Sequence, residues 1–295
     1  VIFSQKEKFR YVSGYITKDQ NYLVISASNE TSGNNLYIKD LKSHNTELVQ
    51  ITYNFDANSY IVHNISSKLY ISTNLNAPNN KLIVVDANDP HLENWADCIP
   101  ESNNVLTISK GGGYFFANYF EDANSKIMQY KYDGELVREV IFSGKGYVSG
   151  FKGKEDQKEI FYNFSNYITP RSTYKYNVET GKSDLYWFPK IDFNSNNFIT
   201  EQHFYISTDG TKVPISIMYK KGLKLDGNNP TILYGYGGFN ISLKPSFSVI
   251  NAVWLEQGGV YAVANLRGGG EYGKEWHDSG TKMQKQNVFN DFISA

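Results

Sequence analysis

Cysteine occurs once, at Cys98, so no internal disulfide can form. A lone thiol suits a reducing compartment, and a cytoplasmic location is the expectation. No apolar run approaches the ~18 residues of a membrane span. No block of like charge is present either: 29 Lys and Arg oppose 30 Asp and Glu, for a net charge of −1. A nucleic-acid surface needs a basic stripe and a membrane-surface helix needs a basic amphipathic one, so neither partner is expected. No grouping of His, Cys and Asp has the spacing of a metal site, and no metal or cofactor is expected. The chain opens on Val1 rather than methionine, and 287–295 reads as a helix just starting, so an internal piece of a longer protein is the expectation.

What the sequence does hold is aromatic residues, 15% of the chain with 23 tyrosines, and many asparagines. That load suits short strands joined by polar turns. Along residues 1–190 one strand recurs: Leu23–Ser26, Leu69–Ser72, Tyr114–Ala117 and Ile160–Asn163. From Ile25 to Ile71 to Phe116 to Tyr162 the steps are 46, 45 and 46 residues. A second strand follows each, ending in Asp40, Asp86, Asp133 and Asn177, at steps of 46, 47 and 44. Several short strands in a unit of this period are the mark of propeller blades, whereas solenoid repeats of similar length would show helical spacing. About four blades fit; a closed four-bladed ring is one reading, but the chain begins abruptly inside the pattern, so 1–190 is read as a partial, larger β-propeller.

Beyond residue 190 the pattern changes, and 191–295 reads as a second domain. Gln202–Thr208 alternates, turns at Asp209-Gly210 and returns as Val213–Tyr219, a hairpin signal. Pro214 makes the return strand an edge strand or places it near a strand start. Thr231–Tyr234 is a compact apolar strand followed by Gly235-Tyr236-Gly237-Gly238-Phe239. Ser248–Gln257 reads as a helix with Val249, Ile250, Val253 and Trp254 on one apolar face and Gly258 as its stop. Gly259–Asn265 is then a buried-type strand, which completes a βαβ unit. This order opens an α/β-hydrolase sheet, in which the loop after such a strand supplies an oxyanion donor. The nucleophile elbow Gly-x-Ser-x-Gly should follow two elements later, and none occurs in these 295 residues.

Leu233–Asn240 and Ala264-Asn265-Leu266-Arg267-Gly268-Gly269-Gly270-Glu271-Tyr272-Gly273 resemble the prolyl oligopeptidase family, and Trp276-His277 and Lys285-Gln286-Asn287 continue the match at the family's spacing. The order of propeller then hydrolase is the family's order. Oligopeptidase B, a neighbour in the superfamily, tends to have Ser-Tyr where this chain has Gly238-Phe239. The resemblance implies a serine endopeptidase that cuts short peptides after proline, monomeric when complete, with the propeller covering the active site. It assigns Tyr236 to the oxyanion hole and Phe239 to the proline pocket. It also implies that the catalytic serine, aspartate and histidine lie beyond Ala295, so that this chain alone is inactive. None of the five histidines stands in for the missing one: His277 belongs to the Trp-His motif, His203 to an alternating strand, and His44, His63 and His91 to the propeller.

Two other readings compete. Gly268 to Gly273 fits G-x-G-x-x-G after a strand, with Asp291 18 residues past the last glycine. Yet residues 274–290 contain no buried strand for a Rossmann acid to end, and Asp291 reads as a first-turn helix residue favoured by the helix dipole. Arg267 and Glu271 read as a structural ion pair. The second alternative is a non-catalytic propeller that binds peptides, with a degenerate hydrolase remnant.

Overall fold

The computed structural model of the protein describes residues 3, 9–30, 32–43, 47–53 and 55–295; His44 lies outside them. The chain divides into two compact units, Val1–Asn103 and Asn104–Ala295.

The first unit holds two four-stranded antiparallel meanders. One is built from β1 (Tyr11–Ile16), β2 (Tyr22–Ser28), β3 (Asn35–Asp40) and β4 (Val49–Gln50). The other comprises β5 (Ser59–Ile65), β6 (Lys68–Thr73), β7 (Lys81–Asp86) and β8 (Ala96–Ile99). Alternate residues of the inner strands face one core in which Val24, Leu36, Ile38, Leu69, Ile71, Ile83 and Val85 are buried. The period of two in side-chain direction is what lets a short strand supply both a core face and an outer face.

The second unit begins with two more meanders of the same form. They are β9 (Val105–Gly111), β10 (Tyr114–Glu121), β11 (Asn124–Tyr130) and β12 (Leu136–Val140), then β13 (Tyr147–Lys152), β14 (Glu159–Ser165), β15 (Ser172–Asn177) and β16 (Ser183–Trp187). Aromatic rings fill the core they share: Phe116 stacks on Phe151 at 4.6 Å, and Phe151 on Tyr162 at 4.7 Å. Phe151 reaches that position through a bulge, because the β13–β14 register shifts between Gly150 and Lys152. Gln129 is fully buried there; its amide donates to the Val178 carbonyl at 2.8 Å and accepts from the Tyr176 hydroxyl at 2.7 Å.

The repeated strand of the sequence is the second strand of each meander, and the second repeat is the third. The four periodic turn residues also have a shared chemistry. Asp40 Oδ1 accepts from Lys42 N, Asp86 Oδ1 from Asn88 N, Asp133 Oδ1 from Glu135 N and Asn177 Oδ1 from Glu179 N, at 2.8–3.0 Å. Each side chain closes its own turn, which is why the period keeps Asp or Asn there. One boundary differs: β11 ends at Tyr130, and Asp133 lies in the turn rather than in the strand.

The same unit continues into a mixed sheet of β17 (Phe198–Ile206), β18 (Lys212–Lys220), β19 (Thr231–Gly235) and β20 (Val260–Ala264), in the order β17-β18-β20-β19. β17, β18 and β20 pair antiparallel in turn, and β19 joins β20 in parallel. Pro214 is the third residue of β18, near its start, while β18 is flanked on both sides. α1 (Val249–Glu256) connects β19 to β20, and α2 (Gly273–Asp278) and α3 (Gln286–Ser294) follow. One side of the sheet packs Met218 and Val263 with Leu255 of α1, and the other packs Ile215, Ala262 and Ala264 with Val288 of α3.

The expected face of α1 is not the one that packs. Ala252 and Leu255 are buried against the sheet, while Val249, Ile250 and Val253 are exposed. Apolar residues surround this helix, so their sequence positions alone did not distinguish the stripe that faces the sheet. Among the described residues, no helix is long and apolar enough to cross a membrane.

Candidate active site

Two loops meet back to back at the carboxyl ends of β19 and β20, where open α/β sheets place their ligands. The first runs from Gly235 to Ser242. Ile241 N donates to the Gly238 carbonyl at 3.0 Å, and the two residues between, Phe239 and Asn240, both lie in the left-handed region at φ 53° and 57°. A bulky side chain there costs on the order of 1–3 kcal/mol, and such strain gathers at ligand-binding positions. The strained turn presents the Phe239 ring outward, 76% exposed, and Tyr236 is 44% exposed.

The inner side of this loop has no spare room. A Cβ on Gly237, at φ 60°, would stand 2.4 Å from Val288 Cγ1 and 2.8 Å from the Arg267 carbonyl oxygen. Lys285 Nζ, at the start of α3, donates to the Gly237 carbonyl at 2.6 Å. Asn240 N donates to the Gly268 carbonyl at 3.1 Å, which fastens the first loop to the second.

The second loop, Leu266–Tyr272, is held from behind by α2. The Trp276 indole donates to the Leu266 carbonyl at 3.1 Å, Gly268 N donates to the Trp276 carbonyl at 3.0 Å, and His277 Nδ1 meets the Gly268 carbonyl at 2.8 Å. A carbonyl only accepts, so that ring nitrogen carries a proton and His277 serves as a brace. His203 is exposed beside Glu201 at 3.0 Å. The glycines here meet protein backbone: a Cβ on Gly268 would be 2.8 Å from the Gly237 carbonyl oxygen, and one on Gly270 2.7 Å from that of Asn240. The G-x-G-x-x-G pattern therefore serves backbone packing, and α2 after it is only six residues long.

Arg267 and Glu271 do not pair. The Arg267 guanidinium is 4% exposed and turns under the sheet to Asp291, with Nε at 2.9 Å from Oδ2 and Nη2 at 2.6 Å from Oδ1. Its backbone N–H also donates to Asp291 Oδ2 at 3.1 Å, and Nη1 reaches Asp209 at 2.5 Å. Hydrogen bonds donated to Asp291 and Asp209 raise the Arg267 pKa above its ordinary value, and the guanidinium holds Asp209 well below the usual carboxylate range. Asp291 is thus an ion-pair residue in the second turn of α3, fully buried, rather than a first-turn dipole partner. Glu271 sits instead in an uncharged niche, accepting from Leu243 N at 2.8 Å and Asn265 Nδ2 at 3.1 Å, and burial pushes its carboxyl pKa up.

The structure brings Tyr236 and Phe239, the two residues expected from the sequence, onto one loop end. One partner of that loop and one of the Leu266–Tyr272 loop were missed. Lys285 was visible as part of a motif but carried no role, because its contact with Gly237 spans 48 residues. Asp209 was visible only as a hairpin turn. Among the described residues no group of three or more His, Cys, Asp or Glu could hold a metal ion.

Comparison with known proteins supplies what geometry alone does not. The family profile described as “Prolyl oligopeptidase, N-terminal beta-propeller domain” matches residues 1–189, and “Prolyl oligopeptidase family” matches residues 245–295. The prolyl endopeptidase of Elizabethkingia meningoseptica is 54% identical over 295 residues, covering 100% of this chain and 42% of the relative. A structure from a study of two prolyl endopeptidases and the role of their inter-domain dynamics superposes with a TM-score of 0.91 at 38% identity, over 96% of this chain and 42% of that one. Prolyl oligopeptidase B from Galerina marginata, bound to a 35mer hydrolysis and macrocyclization substrate, superposes at 0.89 with 31% identity, over 96% of this chain and 41% of that one. The chain thus spans less than half the length of the relatives it matches.

Proposed function

We propose, from the fact that this chain belongs to the prolyl oligopeptidase family, that it is part of a serine endopeptidase that cleaves short peptides after proline. In this reading 1–190 is the propeller part and 191–295 the first part of the peptidase domain. The Tyr236 hydroxyl donates to the oxyanion, and Phe239 lines the pocket for the proline ring. The enzyme acts as a monomer on proline-containing peptides, and the single cysteine suits a reducing compartment such as the cytoplasm.

The observation that carries the reading is the loop after β19: its inner side is packed against Val288 and Arg267, and its outer side presents a phenol and a strained aromatic. In acyl transfer, negative charge grows on the carbonyl oxygen, so a donor fixed beforehand helps the transition state more than the ground state. A loop with no room to shift on its inner side keeps such a donor in place. Residues 1–295 contain no Gly-x-Ser-x-Gly, so the nucleophile and its base must come from outside them.

The test uses an active full-length enzyme carrying these 295 residues, made where necessary by placing them in the E. meningoseptica relative in place of its matching segment. Tyr236→Phe removes only the hydroxyl and should lower kcat by about 10–10³-fold with KM little changed, read with a Gly-Pro fluorogenic reporter. Phe239→Ala should instead raise KM for proline substrates. An unchanged kcat for Tyr236→Phe across several substrates would falsify the oxyanion assignment. Peptide binding without any turnover by the parent enzyme would favour the non-catalytic reading.

A further inference from the structure

We infer that Lys285 is the positioning residue of the Tyr236–Phe239 loop: its ammonium, by holding the Gly237 carbonyl, fixes the Gly237–Gly238 peptide unit that lies between the two side chains. This rests on the reading of Tyr236 as the oxyanion donor. Three glycines in the five residues 235–239 flank and separate the working side chains, with Tyr236 itself between two of them. Glycine peptide units rotate at little steric cost, so such a stretch does not hold a phenol in one place by its own chemistry. Sub-ångström placement of a catalytic donor requires support from its surroundings.

Among the described residues, that support has one charged side-chain donor. Lys285 Nζ donates to the Gly237 carbonyl at 2.6 Å, a charge-assisted bond stronger than a neutral one. It pairs with no carboxylate among the described residues, so its charge is not already spent on an ion pair. Its stem is anchored at the start of α3, where Lys285 is helical at φ −58° and ψ −27° and its carbonyl accepts from Val288 N. Val288 is the residue that blocks the space behind Gly237. One turn of α3 therefore contributes both a wall and a hook to the same glycine. The ammonium and the Tyr236 ring also border the same glycine: the position a Cβ would take on Gly238 is 3.8 Å from Lys285 Nζ and 3.8 Å from Tyr236 Cε1.

The test is a double-mutant cycle in the full-length enzyme described above. Lys285→Met keeps the stem and removes the donor, and should lower kcat about 10–100-fold, as expected for a misplaced catalytic group. Lys285→Arg restores a cationic donor and should recover most of that loss. In the Tyr236→Phe background, Lys285→Met should cost less than about 3-fold further, because the lysine acts through a hydroxyl no longer there. If Lys285→Met does not fold, Lys285→Gln takes its place in the cycle with the same expectation. If Tyr236→Phe lowers kcat but the lysine variant leaves kcat unchanged, or multiplies fully with Tyr236→Phe, the inference is wrong and the oxyanion reading stands. If Tyr236→Phe has no effect, both fall together.

Discussion

Removing the carboxylate of Asp291 should be the most damaging single change in the sheet region. Arg267 is nine-tenths or more buried, and three of its nitrogens, Nε, Nη2 and the backbone N, bond Asp291; the contact to Asp209 is made with a half-exposed side chain. Asp291→Ala leaves a buried cation with one partly solvated carboxylate and opens a void between α3 and the loop after β20. Breaking a buried pair from one side costs about 3–5 kcal/mol, whereas replacing both partners by apolar residues is often neutral. Arg267→Met with Asp291→Leu should therefore lie within about 1 kcal/mol of the parent, although the single change does not. In urea, with m about 2–3 kcal/mol/M, the midpoint of Asp291→Ala should fall by about 1–2.5 M. Trp254 and Trp276 are hydrogen-bonded in this region and report the transition by fluorescence. A cost for Asp291→Ala below about 1 kcal/mol, or a double variant as unstable as the single one, would refute the reasoning, since either result means the charges are solvated.

Other outcomes follow from buried polar groups. Glu271 has its carboxyl pKa raised by burial, so its stabilising neutral form is fully present below the unfolded value of about 4.3 and is lost as pH rises through the folded one. Glu271→Gln should thus gain stability relative to the parent as pH rises across that window, and a urea-midpoint difference that shrinks with pH instead would contradict it. Tyr176→Phe deprives buried Gln129 of a donor and should cost about 1–3 kcal/mol by the same unfolding assay; a neutral result would mean that another group reaches Oε1. Finally, residues 1–295 expressed alone should release no product from a Gly-Pro reporter, and turnover in material free of host peptidases would overturn the account of where the nucleophile lies.

The blades were legible because a local cause repeats. Asp40, Asp86, Asp133 and Asn177 each cap their own turn through a bond two residues away, so the period is written in adjacent residues. The parallel unit was legible for a similar reason, as a compact apolar strand, a glycine turn, a helix and a second apolar strand follow directly in order. What failed depends on contacts between distant segments. Glu271 is the carboxylate nearest to Arg267 in sequence, yet the guanidinium turns to residues 24 positions later and 58 earlier. The packed side of α1 was likewise misread, since Ala252 and Leu255 are no more apolar than the exposed Ile250 and Val253. Tyr236 and Phe239 could be named from the motif, but Lys285's bond to Gly237 could not.

The interlocking glycines of the second loop and of the turn after α2 also bear on how such a chain changes over generations. A Cβ on Gly280 would stand 2.3 Å from Gly268 N, and one on Gly268 would stand 3.0 Å from the Gly280 carbonyl oxygen. Any single-base missense change in a glycine codon introduces a side chain, so neither position has a tolerated neighbour in codon space. Gly222 and Gly227, with nothing within 4 Å, face no such crowding, only the strain of a left-handed backbone. Purifying selection on the glycine-rich segment therefore follows from folding alone, whatever the protein's activity. The motif that looks most like a catalytic signature is for that reason a record of foldedness, and under the proposed function a trace of activity is to be sought at half-exposed Tyr236 instead.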